Sequence, residues 1–155
     1  MKKIIYILLC VFILSGCKKE TKVEKEEKNV SSKGDLVCAY KLKNTTENTL
    51  YTSYYEYNFN DNGILKGAKN VESIEFDNSS DKVKDSYKDE IKEIIKEYED
   101  IDGIEVTTKY EDNKYLFTVI MDNSKMNKET IEKFLLDEDR VGLYTQYTDA
   151  GYTCD

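Results

Sequence analysis

Four cysteines, 13 tyrosines and 31 acidic side chains are the groups able to do chemistry in this chain of 155 residues, and no histidine accompanies them. Without imidazole there is no Ser/His/Asp or Cys/His triad and no histidine-containing zinc site. Paired carboxylates can still work as acid and base on a glycosidic bond, given separations of about 5–10 Å. Glu97, Glu99, Asp100 and Asp102 form one acidic cluster, and Asp137, Glu138 and Asp139 form another. Each falls at the end of an expected helix, where the helix dipole disfavours negative charge; as sequence, both read as solvated surface. The run from Asn58 to Gly63 places oxygens at alternate positions, as a calcium loop does. Its twelfth position is Lys69 rather than a bidentate Glu, so it reads as a hairpin turn. No catalytic residue, metal site or cofactor is expected.

The cysteines carry more information. Lys2 and Lys3 precede an unbroken apolar run from Ile4 to Leu14. That run is too short to cross a bilayer, which takes about 20 helical residues, but suits the hydrophobic part of a signal peptide over residues 1–16. It closes with Leu14-Ser15-Gly16-Cys17, which resembles the lipobox of bacterial lipoproteins. There a cysteine thiolate takes a thioether-linked diacylglycerol because it is the side chain nucleophilic enough for the alkylation. Cys17 is therefore the expected lipidation site. Two acyl chains such as palmitate hold a protein on a membrane, at about 0.8 kcal/mol per buried methylene, where one chain does so only marginally.

Cys10 leaves with the signal peptide, so Cys38 and Cys154 remain as a pair. Neither sits in a CxxC arrangement, and in an exported protein the first reading of such a pair is a disulfide. Residues 18–34 hold six Lys, four Glu and two isolated Val, too little apolar surface to offset the cost of ordering. With Cys17 they form an expected disordered tether over residues 17–34. Residues 35–155 then form a single domain holding 27 of the acidic and 15 of the basic side chains, a formal charge of −12. A field of that sign, with a single Arg in the chain, excludes nucleic acid as a partner and favours cations and basic groups.

Within that domain, apolar alternation predicts strands over 36–43, 49–59 and 64–76, the first three forming an antiparallel meander with a bulge near Gly67. In the second strand Tyr51, Tyr55, Tyr57 and Phe59 share one face, while Leu50, Thr52, Tyr54 and Glu56 share the other. Tyr54 is the candidate binding residue, as an aromatic ring on the face away from the core. Val83, Tyr87, Ile91, Ile94, Ile95 and Tyr98 recur at spacings of three and four, predicting an amphipathic helix that starts near Ser79-Ser80 and ends at Asp102-Gly103. Strands over 104–110 and 115–121 make a hairpin, the latter apolar on both faces and so expected centrally in the sheet or under both helices. A short helix is expected over 128–137, capped by Asn127, burying Ile131, Phe134 and Leu135. The fold class is α+β: an antiparallel sheet of about five strands in β-β-β-α-β-β-α order with one long and one short helix packed on it.

The lipobox and tether, the run from Tyr98 to Val106, and the strand Tyr115 to Met121 leading into Asp122-Asn123-Ser124-Lys125 resemble the YehR-like family of small bacterial lipoproteins. The terminal Gly-Tyr-Thr-Cys with Leu-Val-Cys near the start resembles a two-cysteine variant among low-GC Gram-positive relatives. The resemblance implies a small α+β lipoprotein on the extracytoplasmic face of the cell membrane, and no catalytic residues. The expected role is a non-enzymatic binding or accessory module of the envelope, held to membrane lipid through acylated Cys17, with an envelope protein or small ligand as partner. The alternative is a small cell-wall-active hydrolase using paired carboxylates.

Overall fold

The structure, a computed structural model, describes residues 35–155 except Asp112, Leu135 and Asp137. The expected signal peptide, Cys17 and the charged tether lie outside the described residues. Among those described, no helix is long and apolar enough to cross a membrane. The strands are β1 (Leu36–Asn44), β2 (Thr49–Phe59), β3 (Leu65–Phe76), β4 (Ile104–Glu111), β5 (Lys114–Asp122) and β6 (Thr153–Cys154). The helices are α1 (Asp81–Lys96), α2 (Lys128–Lys133) and α3 (Arg140–Asp149). All strand pairings are antiparallel, in the order β4-β5-β3-β2-β1-β6, which gives the expected α+β architecture.

Strand alternation sorts the sheet into two faces. Leu36 and Cys38 of β1, Tyr51, Tyr57 and Phe59 of β2, Ala68, Ile74 and Phe76 of β3, and Phe117 and Val119 of β5 point to the helices and form the core. Tyr54 lies on the opposite face, between Ala39 and Val71. The register shifts between Asn58 and Phe59, so the bulge falls at the expected place. Gly67 sits beside it because a Cβ there would stand 2.4 Å from the carbonyl oxygen of Met121. In the preceding turn the Asn60 side-chain oxygen accepts from the backbone amides of Asn62 and Ile64, and Gly63 has φ 76°. These oxygens serve the hairpin.

α1 begins at Ser80, whose hydroxyl accepts from the Val83 amide, and buries Tyr87 and Ile91. It stops at Lys96, earlier than its apolar spacing suggests, because Asp100 and Gly103 both take positive φ to turn the chain into β4. Tyr98 remains buried beyond the helix end, stacked on Phe134 at 5.5 Å. α2 is capped by Asn127, as its sequence suggests, and spans six residues. α3 and β6 occupy the stretch for which periodicity gave no element. Asp139, expected to crowd a helix end, starts α3 instead: its carboxylate accepts from the Gly142 amide at 2.7 Å. Negative charge at a helix N-terminus is favourable, so the sign of that expectation reverses.

The chain then closes on itself. Cys154 pairs with Cys38 across β6 and β1, with their Cα atoms 4.1 Å apart, and the two are joined as a disulfide. Arg140 is buried beside this closure. Its guanidinium donates to the Asp35 carbonyl at 3.1 and 3.2 Å and to the Asp155 carbonyl at 2.9 Å.

A candidate ligand cleft between the first helix and the sheet

α1 crosses the end of the sheet where β1 runs into β2, and the gap beneath it is a cleft of about 370 Å³. Val83, Ser86, Tyr87 and Glu90 line it from the helix, at spacings that place them along one side. Leu42 and Asn44 of β1, Glu47 of the following turn and Thr49 and Tyr51 of β2 line it from the sheet. Glu47 is fixed there: one carboxylate oxygen accepts from the Tyr87 hydroxyl at 2.8 Å and from the Asn44 side-chain Nδ2 at 2.8 Å. Burial, with the Glu47 charge adding to it, raises the pKa of Glu90, and burial with the bond to Glu47 pushes Tyr87 up to about 12. Lys82 is the basic side chain on the rim.

Tyr51, at the floor, connects the cleft to a buried polar nest. Its hydroxyl and the side chains of Asn70 and Tyr55 hydrogen-bond to Glu72, which projects from β3 into the core and is 7% exposed. Burial is the dominant effect on this carboxyl and pushes its pKa up to about 7, against three hydrogen bonds that favour the charged form. Around it the Tyr57 and Tyr147 hydroxyls are 2.5 Å apart, and Tyr152 bonds to Ser53 at 3.3 Å. Burial raises the pKa of Tyr51, Tyr55, Tyr57 and Tyr147, so these phenols stay neutral donors. A second recess of about 20 Å³ lies against Glu72, Tyr87 and Glu90, large enough for about one water molecule.

The cleft thus offers two carboxylates, phenol hydroxyls and apolar walls to one small molecule. Of the residues singled out from sequence, Cys38 and Cys154 are brought together, but away from this site. Tyr54 is 37% exposed on the open face of the sheet and does not line the cleft. The cluster of Glu97, Glu99, Asp100 and Asp102 is exposed, and among the described residues no three Cys, Asp or Glu groups converge as a metal site. Glu47, Glu72 and Glu90 were not singled out. Glu47 lay in a loop and Glu90 on a charged helix flank, without a signal. Glu72 had one: with Ala68, Asn70, Ile74 and Phe76 it keeps the parity of the core-facing side of β3, so a polar pair there marks a buried network.

No protein-family model matches the chain, and searches of curated proteins and of solved structures return no significant match.

Proposed function

We propose that this chain is a lipid-anchored binding module on the outer face of the cell membrane, with the cleft beneath α1 as its ligand site. The observation that carries the site is Glu47 held by Tyr87 and Asn44 opposite Glu90, in a cleft with aromatic and aliphatic walls. A volume near 370 Å³ falls at the lower end of small-molecule pockets. Two carboxylates and a Tyr ring favour a small organic cation, by charge and by cation–π attraction. The domain's charge of −12 adds a long-range bias of the same sign. The Cys38–Cys154 disulfide supports an oxidising, extracytoplasmic location. The lipobox-like Leu14-Ser15-Gly16-Cys17, and with it the resemblance to the YehR-like lipoproteins, supports the anchor.

Each half has its own test. Intact-mass spectrometry of membrane-extracted protein is expected to find Cys17 as the first residue and diacylated; an unmodified Cys17 removes the anchor. Calorimetric titration with putrescine and with choline is expected to show binding that weakens about tenfold or more in Glu47→Gln, which keeps the bonds to Tyr87 and Asn44 but removes the charge. No binding at millimolar ligand overturns the cation site. The raised pKa of Glu90 beside Glu47 also favours a second reading, a hydrolase with Glu90 as acid. Release of soluble cell-wall fragments in parallel incubations, lost in Glu90→Gln, selects that reading instead.

A further inference from the structure

Among the described residues, β4 is the outermost strand at one end of the sheet and pairs with β5 alone. At the other end the last strand, β6, is two residues long and is fastened by the disulfide. A long free edge is a template for another strand, and folded proteins cover or disrupt such edges when they are not used. Its hydrogen-bonding parity is fixed. The Asp122 amide donates to the Gly103 carbonyl at 2.8 Å, so the odd residues 105, 107, 109 and 111 bond to β5. The backbone groups of Val106, Thr108 and Tyr110 therefore point outward from the sheet.

We propose that this edge pairs with the same edge of a second copy, antiparallel about a twofold axis through Thr107. The charges select that register. With Thr107 opposite Thr107, Val106 and Thr108 exchange backbone bonds, and each Glu105 stands opposite Lys109 of the second copy. Moving two residues one way sets Glu105 against Glu111, and moving further sets Lys109 against Lys109. The chosen register puts opposite charges in the closely spaced, non-hydrogen-bonded positions, twice by symmetry. Lys109 already holds Glu111 of its own strand at 2.8 Å, so it would lie between two carboxylates. On the helix side the pairing brings Tyr110, 48% exposed, beside Ile104 of the second copy. The result is one continuous sheet with both β4 edges consumed.

The test is disulfide trapping in the full chain on a non-reducing gel. Thr107→Cys places two thiols on the axis, at a Cα separation of about 4.5 Å suited to a disulfide. Glu105→Cys, on the same exposed face, places them four residues out of register. Cross-linking of Thr107→Cys and not of Glu105→Cys is expected. Adding Glu105→Lys to Thr107→Cys is expected to abolish it, and adding Lys109→Glu as well to restore it. A monomeric Thr107→Cys, equal cross-linking of the two single variants, or no rescue by the charge swap overturns the proposal.

Discussion

Among the described carboxyl groups, Glu72 is the one whose chemistry differs most from that of its type in water. In the unfolded chain it releases its proton near 4.5, whereas in the fold it holds the proton until about 7. Between those values the folded state binds more protons than the unfolded state, so stability falls as pH rises and levels off above about 7. The span corresponds to about 3 kcal/mol, an upper bound for a group that can recruit water on ionising. Urea denaturation at a series of pH values is expected to show this decline in the wild type and its loss in Glu72→Gln, which should be the more stable protein at pH 8. An identical pH dependence in the two would mean that Glu72 is solvated. Tyr51 and Tyr55 bond to this carboxyl from one face of β2. Their shared parity was legible in the sequence; their common acceptor was not, because it comes from a different strand.

At the scale of elements, strands and the long helix follow from local pattern. β2 and β3 alternate cleanly, α1 has its cap and its apolar spacing, and the bulge lies beside the glycine that permits it. Any side chain at Gly67 would force the Met121 carbonyl away and open the pairing of β3 with β5. α3 did not follow from pattern. Gly142, Thr145 and Thr148 are weak helix formers, and its inward residues Arg140, Leu143 and Tyr147 include a charge. The helix exists because Asp139 caps it and because Tyr147 and Leu143 find a core to enter, a tertiary reason. α1 is shorter than its pattern for the converse reason: the chain must turn early for Tyr98 to stack on Phe134.

At the scale of the molecule, the closure between Cys38 and Cys154 spans 116 residues. On the chain-entropy account such a loop contributes about 4–5 kcal/mol, by restricting the unfolded chain. Reduction is therefore expected to move the urea midpoint strongly toward water. Midpoints that coincide with and without reductant would rule this out. The proposed cleft is lined from β1, β2 and α1, whereas β4 is the outermost strand at the other end of the sheet, so the two proposals concern separate surfaces.

By itself the sequence determined the α+β class, the meander, the long helix and the cysteine pair. Each depends on residues near one another in the chain, or, for the cysteines, on elimination once residues 1–17 are read as a lipoprotein signal and its lipidated cysteine. The tertiary structure alone decided the cleft, because Glu47, Tyr87 and Glu90 meet only when a helix crosses a sheet end. It also decided which side chains would surround Glu72 and that β4 would be an outermost strand among the described residues. Burial and adjacency are properties of packed elements, and a one-dimensional pattern carries the parity of a side chain but not its neighbours.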